Sequence, residues 1–417
     1  MKATTEKENH LFSIFCGMFL MYIIYLSIYP QLSDEMSDYG GHIYQYLPMF
    51  EQGVLRGWQT VPYFLWHAVV LLLKNVFLIP LMPAVAYCSC LFEMVAYIAY
   101  YWIVRKTFKN TVGKTCNSQS AFFALCLCLV QGYYFPWTDI SMDGYLGVFS
   151  MNPWHNPTQM CVLGLSLVIF VLVCDLLGIV SQKNYVVQYF QVNQGNKRYY
   201  VLLTVLLLLS TIAKPTFAEM FIPAVALFML TELIIRIYKK ADDCKEYFKS
   251  CLKMLVCSVP SLLYIGSSFI NYFVIGDNHY GDTSVTVTSW MKVWSLFSDN
   301  IYLALLFGMA FPIYVIIIDP KFFAGNVIGR LGALGYACGL LEAGFLAESG
   351  DKIGHADFLW PMMSGMAVLW LAAFIRMIML EKTAEDGKVR RILINIGWII
   401  FAGHVLCGVI YWKTLVG

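Results

Sequence analysis

Twelve apolar segments, most of them long enough for a membrane-crossing helix, follow one another along the chain, at about 11–32, 61–82, 84–104, 120–136, 158–180, 199–213, 216–235, 251–275, 300–318, 331–347, 358–380 and 392–412. A helix needs about 20 apolar residues to cross a hydrocarbon core, so 417 residues hold roughly ten to twelve spans and little else. Composition agrees: 59% of residues are hydrophobic and 13% charged, against about 45–50% and about 25% in soluble domains. So little polar surface excludes a soluble enzyme or a nucleic-acid binder. A net charge of +2 gives no global pull on polyanions. The expected fold is all-α, a polytopic transmembrane helix bundle forming one integral domain over residues 1–417.

The basic residues set the number and direction of the spans. If all twelve segments cross, the basic loops fall on alternating sides, against the positive-inside rule. Segment 61–82 is the exception to remove. His67 and Lys74 are seven residues apart on one helical face, with Tyr63 four residues earlier. Such a stripe describes a helix in the interface or packed on the bundle. Without it about eleven spans remain (a range of 10–13), and 22 of the 28 Lys and Arg residues lie on one side. That places the N-terminus in the cytoplasm and the C-terminus outside a plasma membrane. Residues 33–83 become a first outer loop with two membrane-parallel helices.

The 13 cysteines include Cys88-x-Cys90 and Cys126-x-Cys128, whose side chains diverge by about 200° on a helix, unsuited to zinc or a disulfide. They read as polarizable apolar filler. Lys2 and Lys7 precede the first apolar run and no small-residue cleavage site follows, so that run reads as an uncleaved anchor. There is no internal repeat and no Gly-rich phosphate loop, so an inner nucleotide site has no support.

Four outer stretches concentrate ionisable and aromatic residues. The first, Ser33 to His42, holds Asp34, Glu35, Asp38 and His42. The i, i+4, i+8 spacing of Asp34, Asp38 and His42 stacks them if the stretch is helical, although Gly40 and Gly41 weaken a helix there. Carboxylates this close raise one another's proton affinity, which suits a general base or a metal ligand. An acidic helix start favoured by the dipole is the competing account. The second stretch brackets Trp154-His155 between Asn152-Pro153 and Asn156-Pro157. A turn carrying an interfacial Trp explains the Trp and Pro residues but not His155 between two Asn.

The third is Lys214-Pro215. The run before it is only 15 residues from Tyr199, so Lys214 falls below the surface at a helix break, facing a polar cavity, or snorkels from a tight hairpin. The fourth is the loop Glu348 to Pro361, with Asp351, Lys352, His355, Asp357 and Trp360, a second wall of a site or a solvated loop. The longer loop 276–299 is assigned no role.

These features resemble the GT-C superfamily of membrane glycosyltransferases. Members carry an acidic first-outer-loop motif followed by helices lying along the membrane. The matching residues here are Asp34-Glu35, Asp38 through His42 and the non-crossing 61–82. Ser37 to Ile43, Trp154 to Thr158, Lys214-Pro215 and the Glu348–Trp360 loop are similar to uncharacterised multi-pass proteins of bacterial surface-polysaccharide clusters. The resemblance implies a polyprenyl-phosphate sugar donor. With no large outer domain, it implies a lipid-linked or surface glycan as acceptor. In the bilayer, Asp38 and then Asp34 would serve as base, with Glu35 and His42 in the same cluster, and the reaction would invert. Lys214 leads the leaving-phosphate cations, with Arg56, His155 and His355 behind it. Trp154, Asn156, Glu348 and Asp357 are further substrate-binding candidates. Asp34 and Asp38 are the ligands for a divalent cation (Mg or Mn) if one is used. A polysaccharide polymerase or ligase would want outer arginines, and the only one is Arg56. A lipid or glycan transporter would use mid-span polar residues such as Glu93, Asp175, Glu342 and His404, without the repeats usual in transporters.

Overall fold

The computed structural model describes residues 2–35, 37–53, 61, 63–134, 150–181, 187–190, 192, 197–271, 284–382 and 387–416. Arg56, and Asp277, His279 and Asp282 of the 276–299 loop, lie outside them. The backbone of His355 is described, but its side chain is not.

The chain is an all-α helix bundle. The first loop begins after α1 (Lys2–Ile28) and a 3-10 turn. It holds a short helix α2 (Asp38–Gly40), a π-helical stretch (Gly41–Tyr46), α3 (Leu47–Gln52) and α4 (Leu65–Asn75). The bundle continues with α5 (Leu81–Val112), α6 (Asn117–Leu129), α7 (Pro157–Ser181), α8 (Lys197–Ala213), α9 (Thr216–Tyr238), α10 (Cys244–Ile270), α11 (Ile301–Ile318), α12 (Pro320–Gly325), α13 (Val327–Phe345), α14 (Trp360–Glu381) and α15 (Lys388–Val416). Punctuation is local. Gly113, at φ +76°, closes α5 in the left-handed region that favours glycine. The Asn300 side chain accepts from Leu303 N at 3.0 Å to start α11.

Among the described residues, eight helices are long and apolar enough to cross a membrane. The chain is therefore a multi-pass membrane protein. The other three expected spans coincide with α6, α8 and α13, which pack in the bundle but lack that length or hydropathy. The 61–82 segment yields only α4, whose 11 residues rise about 16 Å, half a hydrocarbon core. Its polar stripe meets the rest of the loop. His67 Nε2 is 3.1 Å from His42 Nδ1, and Lys74 Nζ donates to Glu51 at 3.0 Å. All thirteen cysteines are free thiols, most of them buried.

The bundle is organised around α7 and α14, whose apolar windows are 89% and 94% buried. Glycine lets α13 and α14 approach. A Cβ on Gly339 would sit 2.6 Å from the Pro361 carbonyl oxygen, and one on Gly365 would sit 2.9 Å from that of Gly335. Small residues at such a seam allow backbone contact inside a bilayer. Gly339→Ala should force the helices apart and destabilise the protein by about 1–3 kcal/mol, read as a lower melting temperature in detergent. An unchanged melting temperature would show that the seam yields without cost.

Residues 284–299 of the 276–299 loop hold regular structure that their pattern does not suggest. Residues Val285–Val287 (β1) pair antiparallel with Leu346–Glu348 (β2), Val285 opposite Glu348. This small ribbon ties the loop to the Glu348–Pro361 stretch.

Candidate functional site

The first loop places its residues through Ser37. The Ser37 hydroxyl donates to the Asp34 carbonyl at 2.7 Å and accepts from Gly40 N at 2.9 Å, so Ser37 is the N-cap. Asp38, the first helical residue, turns its carboxylate toward the second stretch. Asn156 Nδ2 donates to Asp38 Oδ2 at 3.0 Å, and His155 Nε2 lies 3.9 Å away. Gly40 packs on the acidic turn, where a Cβ would come 2.6 Å from the Glu35 Cα. That fold-back leaves the Asp34 and Glu35 side chains exposed.

The expected Asp34–Asp38–His42 stack does not form. Asp34 precedes the helix, and the π-helical stretch from Gly41 breaks the 3.6-residue repeat. His42 is buried rather than on a polar face, its ring packed among Tyr46, Tyr63, Trp66 and His67. Burial, then the neighbouring His67 and Lys214 charges, push its pKa well below the usual histidine range.

Asn156 caps α7, with Pro157 at the favoured first position. Its Oδ1 accepts from Gln159 N at 2.9 Å, Thr158 Oγ1 at 3.0 Å and Lys214 Nζ at 3.2 Å. Those three donors fix the amide orientation and aim its NH2 at Asp38. One amide thus links the carboxylate and the ammonium. His155 Nδ1 is hydrogen-bonded to the Tyr411 hydroxyl at 2.8 Å, and its ring stacks on Trp360 at 5.7 Å. Burial and the Lys214 charge push the His155 pKa well below the usual histidine range, which disfavours its cationic form.

Trp154 also departs from expectation. It is fully buried and stacked on Tyr411 at 5.8 Å, packed inside the protein instead of presented on its surface. Asn152 is structural, its Nδ2 donating to the Leu127 and Val130 carbonyls at 2.8 Å, where α6 ends.

Lys214 sits in the break between α8 and α9 and is 6% exposed, so it does not snorkel. Its Nζ lies 4.2 Å from the Trp360 ring centroid and 5.9 Å from that of Tyr63. Burial pushes its pKa down to about 8, while Asp357, Asp38 and Glu219 pull the other way. Asp357 is exposed at the mouth. It follows Ala356, which adopts φ +58° to turn the loop into α14. Glu348 lies further along that wall, its pKa raised to about 7 by burial and the Asp357 charge, against Lys352.

All four stretches therefore converge, through Asp38, His155, Asn156, Lys214 and the Asp357–Trp360 corner. Sequence reasoning missed Tyr63, Tyr411 and Glu219. Glu219 carried a faint signal, one helical turn beyond Lys214-Pro215. The Gln159 side chain, joining Ser364 Oγ at 2.8 Å and Thr216 Oγ1 at 3.0 Å, braces the floor without one. Among the described residues no three His, Cys, Asp or Glu side chains converge as metal ligands. Asp34 is turned outward and Asp38 faces Asn156, so this donor set does not fit a divalent cation.

Two of the four mid-span polar groups, Asp175 and His404, serve structure. Asp175 accepts from Tyr189 N at 2.9 Å and from Phe190 N, and His404 Nδ1 is hydrogen-bonded to the Gln131 carbonyl at 2.7 Å. Fold and site together define a multi-pass helical membrane protein in which a buried lysine, Lys214, and a part-buried carboxylate, Asp38, share one amide, Asn156. Compared with known protein families and with curated proteins, the sequence matches none of them.

Proposed function

We propose that the protein is a glycosyltransferase of the GT-C kind. In this reading it moves a sugar from a polyprenyl-phosphate donor to a lipid-linked or surface glycan on the outer face of the plasma membrane, with inversion. The observation that carries the reading is Asn156 holding Asp38 at 3.0 Å and Lys214 at 3.2 Å. A carboxylate and a buried ammonium set that close can serve the two ends of one displacement.

The acceptor hydroxyl gives its proton to Asp38 as its oxygen bonds to the anomeric carbon. The bond from that carbon to the phosphate oxygen breaks, and the leaving phosphate takes up its charge beside Lys214. His155 and Asn156 orient Asp38, and Trp360 and Tyr63 supply flat faces for a sugar. The first-loop helices lie along the membrane surface, where the lipid tail of the donor enters. The bias of basic residues supports a cytoplasmic N-terminus. A polymerase or ligase fits less well, because its outer arginines are lacking.

The deciding experiment incubates purified protein with a polyprenyl-phosphate sugar and extracted cell glycans, and compares glycan masses from cells with and without the protein. No mass difference and no transfer would end the proposal. The reading also sets a pH dependence. A phosphodiester donor keeps one charge from pH 6 to 9, whereas Lys214 loses its proton above about 8. Donor affinity should be flat to about pH 7.5 and then fall by up to tenfold per pH unit. An affinity that rises with pH would remove Lys214 from phosphate recognition.

A further inference from the structure

At the opposite end of α8 from Lys214, about 25 Å away along its 17 residues, a second site is built between α8 and α10. Both helices begin at this end, α8 at Lys197 and α10 at Cys244. Cys257 Sγ donates to the Tyr200 carbonyl at 3.5 Å, which fixes their register. One turn back on each helix, Lys197 and Lys253 are level, and Lys249 lies one turn nearer the end. These three lysines line the mouth of a groove of about 590 Å³. Beyond them its walls are apolar, with Val201 and Val256 facing outward from the bundle, 62% and 61% exposed.

We infer that this groove binds an anionic diacyl phospholipid of the leaflet at that end of the bundle, with its phosphate among Lys197, Lys249 and Lys253 and an acyl chain along Val201 and Val256. The charge balance favours it. Glu246 accepts from Lys249 at 2.6 Å, and Lys197, Lys245 and Lys253 remain in excess. The start of α8 adds a positive dipole end beside Lys197. Basic pockets between membrane helices select anionic headgroups, since a zwitterionic headgroup offers no net charge to neutralise. The site is independent of sugar transfer and lies away from the Lys214 pocket.

The test is native mass spectrometry of the full-length protein in detergent, with equimolar phosphatidylglycerol and phosphatidylcholine of identical acyl chains. Wild-type protein should retain phosphatidylglycerol at least tenfold over phosphatidylcholine. The triple variant K197Q/K249Q/K253Q should bring the two to parity. Val256→Trp, which fills the apolar wall and leaves the lysines in place, should lower phosphatidylglycerol retention by itself and covers the case in which the triple variant does not fold. Equal retention by the wild type, an undiminished preference in the triple variant, or undiminished phosphatidylglycerol retention in Val256→Trp overturns the site. So does displacement of phosphatidylglycerol by equimolar polyprenyl phosphate, which would make the groove a carrier-lipid site.

Discussion

Asp38→Asn should lower sugar-transfer turnover at least about 100-fold while expression and melting behaviour stay near wild type. The separation is clean because the helix cap belongs to Ser37, whose hydroxyl accepts from Gly40 N at 2.9 Å. An Asn at position 38 still accepts from Asn156 Nδ2, so the local fold keeps its hydrogen bond, and the stability change should stay below about 1 kcal/mol. Only the proton acceptor is lost. Asp34→Asn and Glu35→Gln, on exposed side chains, should turn over normally. Equal losses at Asp34 and Asp38 would replace the single base with a coupled pair. Normal turnover in Asp38→Asn would take the first loop out of the chemistry and remove the main support for glycosyl transfer.

Lys214→Met should reduce kcat/KM about 10²–10³-fold, the scale of losing one positioned electrostatic group at a developing charge. Methionine keeps the stem that packs beneath Trp360 and removes the ammonium. Stability gives the second readout. The charge is held at a desolvation cost, seen in its pKa of about 8, so an apolar replacement should leave the melting temperature unchanged or raised. A lysine that served only as a structural tie to Asn156 would give the reverse, lower stability with normal turnover. Measuring both quantities on one preparation separates the two roles.

The two variants probe opposite ends of the same displacement, so their combination is informative. Residues joined through one amide are expected to be non-additive. The double variant should therefore lose less than the product of the single losses. Full additivity would mean that Asn156 does not couple the carboxylate to the ammonium.

Much of the outline was legible in the amino-acid order because a bilayer imposes severe rules. Apolar length announces the spans, and an ionisable residue near a helix break is costly enough to mark a polar cluster, as Lys214 does with Asn156. The same logic selected Asp38, His155, Asn156 and Asp357, which the structure gathers around Lys214, and the stripe through His67 and Lys74, which packs on His42 and Glu51. What the order could not carry was partnership. Asp38 meets Asn156 across 118 positions, and His155 meets Tyr411 across 256. Such distances close only when α7, α14 and α15 pack. Local spacing misled where the helix changed its repeat. The π-helical stretch from Gly41 turned His42 into the core, and the close packing of Gly40 on Glu35 turned the neighbouring acids outward. Trp154 misled for a related reason: an aromatic beside a proline looks the same at an interface and in a core. Helical period and polarity are local properties of the chain and can be read from it. Which faces meet, and hence which carboxylate stands beside the buried ammonium, is set by the glycine seam and the bundle packing that only the tertiary structure contains.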